Sequence, residues 1–280
     1  MEHVHRASRL HICCAGGSPA NRRFCLIENE ILTALQAQRA RHPDIADTID
    51  LHIAILEASA SLEISVPSPP HDANERLSLG QPLLRADKLS FDWNAVARFL
   101  QNLCAIFARH YPDLSTDLEE IAREFATPTA TEEIVREWRI DLVRKSLMSI
   151  VLYNVMRPFL SAYARAWASC VDEWQHSTCP ICGGAPDFAA LAISSGGRRL
   201  LCSQCNFEWN STRASCPFCN AEQLAYFPTR SGAYRLYVCD RCKRYLKTID
   251  LRELARDANL PAERVLTIAL DRAAHQAGYR

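Results

Sequence analysis

No apolar run in this 280-residue chain approaches the roughly 18–20 residues needed to cross a bilayer. The longest candidate, Ile134 to Trp174, is broken by Arg136, Arg139, Arg144, Lys145, Arg157, Pro158 and Arg165. Membrane insertion is therefore not expected. The opening stretch, MEHVHRASRLHICCAGG, carries two arginines but lacks the apolar segment of roughly 7–15 residues that a secretory signal places behind its basic residues. A cytoplasmic protein is the expectation. Net charge is lacking too: 32 basic and 32 acidic side chains cancel, so no global field draws the chain to nucleic acid or an anionic membrane.

What the chain does have is cysteine. It carries 13, and a reducing compartment turns such a count towards metal or redox chemistry and away from disulfides. Eight of them form four Cys-x-x-Cys pairs: Cys179/Cys182, Cys202/Cys205, Cys216/Cys219 and Cys239/Cys242. Two intervening residues make a tight knuckle whose sulfurs converge on one point, and two knuckles complete a tetrahedral shell. These eight are the candidate ligands of two metal ions.

The spacing carries a repeat. Nineteen residues separate Cys182 from Cys202, and nineteen separate Cys219 from Cys239. A slide of 37 residues lays CPIC on CPFC and Cys202–Cys205 on Cys239–Cys242. Ser194-Ser195-Gly196 then meets Ser231-Gly232 as a turn, and Arg198–Leu201 meets Arg235–Val238 as a strand entering the later knuckle. Two knuckle–hairpin–knuckle modules of the zinc-ribbon or rubredoxin type are expected. The repeat favours pairing the first knuckle with the second and the third with the fourth. An interleaved pairing, with equal gaps of 33 residues, stays open. About 70 residues with few large apolar side chains form little core, so metal binding must supply folding energy.

Ahead of the knuckles, helical periodicity dominates. Residues 1–25 read as a flexible N-terminus broken by Gly16, Gly17 and Pro19. The expected helices run from Leu26 to about Arg41, from a cap at Asp44, from Trp93 to Tyr111, from Ser115 to Phe125, and from Thr131 to about Trp174 with a kink or split at Pro158. Val66 to Gly80 reads as a loop. Helix returns at Leu251–Ala258 and beyond Pro261, stopping near Gly278. The fold class is α plus small β: a helical bundle over 26–175, four-cysteine modules over 176–213 and 214–250, and a helical segment over 251–280.

Other residues support weaker readings. His3, His5, His11, Cys13 and Cys14 lack a metal-ligand spacing, while Cys104 and Cys170 sit at core positions of helices. Trp209 is a packing anchor or, with Arg213, part of a contact surface. Arg241, Lys243, Arg244 and Lys247 form a local basic patch. A closed shell of four sulfurs leaves no open position for hydrolytic Lewis-acid catalysis, which argues against an enzyme of that kind.

Cys179–Lys247 resembles the formate dehydrogenase accessory protein family, FdhE. The resemblance rests on CPICG, on Gly197-Arg198-Arg199-Leu200-Leu201-Cys202, on Glu208-Trp209 ahead of Arg213 and Cys216, and on Tyr245-Leu246-Lys247. Leu270-Asp271 and Gly278-Tyr279 look like that family's final helix. The chain departs from it in a shorter stretch between the third and fourth knuckles, and in Tyr237-Val238 where the family has Glu-Thr. The resemblance implies a non-catalytic, chaperone-like maturation factor that binds the catalytic subunit of a respiratory formate dehydrogenase. It implies no small-molecule substrate, and it favours iron over zinc in the two sites. Trp209, Arg213, Arg241, Tyr245 and Lys247 are the candidate partner-binding residues. A zinc-ribbon nucleic-acid module and a rubredoxin-like electron carrier are the alternatives.

Overall fold

A computed structural model describes residues 19–85, 89–140, 146–191, 197–211, 215–254 and 256–280. The candidate residues His3, His5, His11, Cys13, Cys14 and Arg213, and the expected turn at Ser194–Gly196, lie outside them. Among the described residues no helix is long and apolar enough to cross a membrane.

The N-terminal region is helical, as its periodicity predicts: α1 (Pro19–Arg39), α2 (Ala46–Ser59), α3 (Ala73–Ser78), α4 (Trp93–His110), α5 (Ser115–Glu124), α6 (Pro128–Ile140) and α7 (Leu147–Trp167). The amphipathic helix α4 starts at Asp92, whose carboxylate accepts from the amides of Asn94 and Ala95, and it buries Val96, Phe99, Leu100, Leu103 and Phe107. Aromatic edges lock the interior, with Phe91 meeting Phe159 and Tyr163 at 5.8 and 5.4 Å.

Several boundaries differ from the sequence reading. Helix α1 begins at Pro19, inside the stretch read as flexible, because proline suits the first turn of a helix. Asp44 caps nothing; it sits within a 3-10 turn, Pro43–Ile45, ahead of α2. The proline-rich segment after Val66 contains α3. Helix α6 starts a turn before Thr131, with the Thr127 hydroxyl accepting from the amide of Ala130. Helix α7 runs through Pro158, so the break in the long run lies before it, where Ser146 accepts from the amide of Ser149. Among the described residues of Leu251–Ala258, helix is confined to a 3-10 turn, Leu251–Glu253.

The cysteine region folds as one six-stranded sheet. Its strands are β1 (Pro186–Leu191), β2 (Arg198–Cys202), β3 (Glu208–Ser211), β4 (Ala225–Pro228), β5 (Tyr234–Cys239) and β6 (Arg244–Asp250), in the order β3-β2-β1-β6-β5-β4. Each repeat contributes an antiparallel meander of three strands. The two meanders join where β1 runs parallel to β6, from Phe188 opposite Lys247 to Leu191 opposite Asp250. Thus the first strand of one repeat pairs with the third strand of the other.

The chain then returns through α8 (Leu260–Leu266) and α9 (Ile268–Gln276). Asn259 caps α8 by accepting from the amide of Ala262, and α8 packs Ala262, Val265 and Leu266 against Ile31, Leu35, Ile45 and Ile49 of the N-terminal helices. Helix α9 covers the second repeat, placing Ala274 against Leu236 and Val238. The C-terminal segment therefore ties the sheet to the bundle.

Candidate metal centres

All four knuckles share one backbone device. The residue after each second cysteine is left-handed: Gly183 (φ +76°), Asn206 (+57°), Asn220 (+57°) and Lys243 (+56°). That conformation turns the chain back, so the amides of Gly183, Asn220 and Lys243 reach the carbonyls of Cys179, Cys216 and Cys239 at 2.8–2.9 Å. Glycine and asparagine adopt it readily, lysine at a cost.

The eight thiols gather into two groups: Cys179, Cys182, Cys202 and Cys205, and Cys216, Cys219, Cys239 and Cys242. The sequential pairing is the one adopted, and the interleaved alternative is excluded. In the first group Cys179–Cys205, Cys182–Cys202 and Cys182–Cys205 sulfurs are 3.5, 3.4 and 3.5 Å apart. In the second, Cys216–Cys242 and Cys219–Cys239 are 3.8 and 3.6 Å apart. The edge of a zinc–thiolate tetrahedron is about 3.8 Å, from a metal–sulfur bond of roughly 2.3 Å. These separations suit a shared ion and are far too long for disulfides. Each group could hold one metal ion, and the donor set fits a thiophilic one.

Electrostatics point the same way. Burial pushes the thiols of Cys179 and Cys205 well up, whereas hydrogen bonds from Cys179, Cys202 and Cys205 hold Cys182 well down. A divalent cation among four such sulfurs favours their thiolate forms. In the second group burial raises Cys239, but the amides of Cys242 and Arg241 and the Cys219 thiol outweigh it and hold Cys239 at about 7.

The two centres sit in different surroundings. All four cysteines of the first are buried within the main core, beside Trp209 and Leu246. The bundle clamps it directly. Arg139 of α6 donates to Gln204 Oε1 and to the Cys182 carbonyl, each at 3.0 Å. Arg157 and Ser161 of α7 donate to the carbonyls of Ser203 and Cys205 at 3.1 and 3.0 Å. The amides of Leu83 and Leu84 bond the carbonyls of Pro180 and Ile181. In the second centre Cys219 and Cys242 are only half-buried, and the Arg244 guanidinium lies 3.7 Å from the centroid of the Phe218 ring.

The candidate partner-binding residues do not form one face. Trp209 is 4% exposed and its indole donates to the His176 carbonyl, so it packs inside. Lys247 is also buried, with Nζ bonded to the Arg264 carbonyl and to Asp271 at 2.8 and 2.7 Å. Tyr245 is half-buried and donates to Asp271. Arg241 alone of the described four is exposed. The basic patch is likewise dispersed, since Lys243 pairs with Asp240 and Arg244 covers Phe218. Cys104 is core, and burial raises its thiol to about 11. Sequence reasoning missed Gly184, Arg139, Arg157, Ser161 and Gln204. Only the Gly183-Gly184 pair carried a signal, that of a close backbone approach.

Residues 178–213 match the family model described as FdhE, central domain. A Protein FdhE homolog of Aquifex aeolicus is 23% identical over 243 residues, 84% of this chain and 83% of that protein. Another, from Pseudomonas aeruginosa, is 32% identical over 167 residues, 51% of this chain and 52% of the relative. The crystal structure of the FdhE protein from Pseudomonas aeruginosa shares the fold, with a TM-score of 0.63 and 22% identity over 94% of both chains.

Proposed function

Since this chain is a relative of the FdhE proteins, we propose that it is a cytoplasmic, non-catalytic maturation factor. Its client is the catalytic subunit of a respiratory formate dehydrogenase. The observation supporting a scaffold role over catalysis is the composition of both centres: four converging sulfurs each among the described residues, a donor set that closes a tetrahedral shell. In this reading Cys179, Cys182, Cys202 and Cys205 hold one ion, and Cys216, Cys219, Cys239 and Cys242 hold the other. The family resemblance favours iron, with zinc the alternative. Four-thiolate iron would supply one-electron exchange, whereas zinc would supply the scaffold alone.

Two measurements test this. Tagged protein should retrieve a formate dehydrogenase catalytic subunit from cells, and deleting its gene should lower the client's activity; unchanged activity after deletion would sink the proposal. Elemental analysis and a visible spectrum of anaerobically purified protein decide the metal, because iron tetrathiolate has charge-transfer bands and zinc has none.

A further inference from the structure

Between the helical bundle and the second repeat lies a cleft of about 650 Å³, within the size range of ligand sites. Leu51 and Ile55 of α2, Phe107 of α4 and Ile150 of α7 give it an apolar side. Its polar lining is cationic: Arg157, Arg244, Lys247, Arg264 and Arg280. Asp187 and Asp271 are the carboxylates of its lining among the described residues, and the buried carboxylate of Glu28 lies close enough to Arg157 and Arg264 to act on both. Lys247 and Arg264 are the cations that face the two aspartates, at 2.7 and 3.4 Å. Arg244 and Arg280 therefore form a positive excess beside Arg157, in a chain whose net charge is zero.

A further observation points to an occupant. Tyr111 and Ile150, which also line the cleft, are 41% and 53% exposed, and apolar groups left in water beside a charged pocket mark a surface awaiting a partner. An inorganic anion would answer the guanidinium groups but leave this apolar side wet. A peptide with an acidic residue between apolar ones answers both.

We propose that this cleft binds an extended acidic segment of a protein partner. A carboxylate side chain enters among Arg157, Arg244 and Arg280, and its apolar neighbours cover Ile150 and Tyr111. That the partner is a client enzyme rests on the maturation-factor reading. Because Phe218 and Arg244 line the cleft, the bound segment lies against the Cys216–Cys219 knuckle, part of the less buried metal centre.

The test uses the metal-loaded full chain and fluorescent peptides in which glutamate alternates with leucine or phenylalanine. Anisotropy titrations should show binding that weakens with salt, no binding when lysine replaces glutamate, and at least a tenfold loss in the double variant Ile150→Ser, Arg280→Glu. Both substituted side chains are exposed, and circular dichroism with metal content checks that the variant folds. Equal binding of the lysine peptide, an unchanged affinity in the double variant, or full displacement by inorganic phosphate regardless of Ile150 would overturn the proposal. Client retrieval separates the two readings. If wild type and double variant retrieve the formate dehydrogenase subunit equally, the cleft assignment fails and the maturation role stands. If wild type retrieves none while the acidic peptide still binds, the maturation role fails and the cleft assignment stands.

Discussion

A methyl group on Gly184 would lie 2.8 Å from the Sγ of Cys202 and 3.2 Å from the side chain of Gln204. The glycine therefore lets the turn after the first knuckle close against a sulfur of the second. Gly184→Ala should push Cys202 out of the tetrahedral position. Metal content should fall from two ions per chain towards one, with the loss confined to the first centre.

The unequal burial of the two centres predicts an order of metal loss. Cys219 and Cys242 are half-buried, whereas the first centre is enclosed and clamped by Arg139, Arg157 and Ser161. Under excess chelator, release should be biphasic, with the second centre emptying faster by on the order of tenfold. Cys219→Ser should abolish the fast phase only. A single phase, or loss of the slow one in that variant, would contradict this order.

Lys243 occupies the left-handed position (φ +56°) that Gly183 fills in the first knuckle. Lys243→Gly should relieve the backbone cost and raise the Tm of the metal-loaded protein by roughly 2–4 °C. The exposed pair it loses with Asp240 contributes little. Gly183→Ala should act in the opposite direction, as differential scanning calorimetry of both variants would show.

His52 sets an acid limit on stability. Burial lowers its pKa to about 4; a bond to the Thr48 carbonyl opposes this, and the charges of Arg157, Arg264 and Lys247 add to the lowering. The unfolded chain, with a histidine pKa of about 6.5, binds a proton before the folded chain does. This contribution is full above about pH 6.5 and is lost as pH falls towards 4, with a slope of at most about 1.4 kcal/mol per pH unit. The stability difference between wild type and His52→Gln should change across that window and stay flat above it. Comparing the two proteins at each pH cancels the proton-driven loss of metal that both share.

The metal centres were the most legible part of the sequence. Four Cys-x-x-Cys pairs and a 37-residue repeat are one-dimensional facts, and the knuckle turn follows from local chemistry. Gly183, Asn206 and Asn220 are residue types that accept the left-handed region, but the sequence reading did not single them out, and their shared conformation became apparent only in three dimensions. The helix starting at Trp93 was readable from its apolar stripe, and the Asp92 cap that starts it emerged from the structure. Of the kink or split expected at Pro158, the split does not occur, because a proline inside a helix need not break it when the flanking turns are held by packing, as the buried Val155, Met156, Phe159 and Leu160 are here.

By itself, then, the sequence determined a helical region, a repeated pair of four-sulfur modules and the residues that could hold two ions, since spacing and periodicity reside in neighbouring residues. Tertiary structure decided everything that joins distant ones. It chose sequential over interleaved thiol pairing, and it fused the repeats through β1 and β6, whose partners Phe188 and Lys247 are far apart in the chain. It also buried Trp209 and Lys247, two side chains that the sequence reading offered as candidate partner contacts. Lastly it set one centre in the core and left the other near water. The reason is physical: a knuckle forms from local backbone geometry, but which face of it is covered depends on the apolar surface that the helices bring to it.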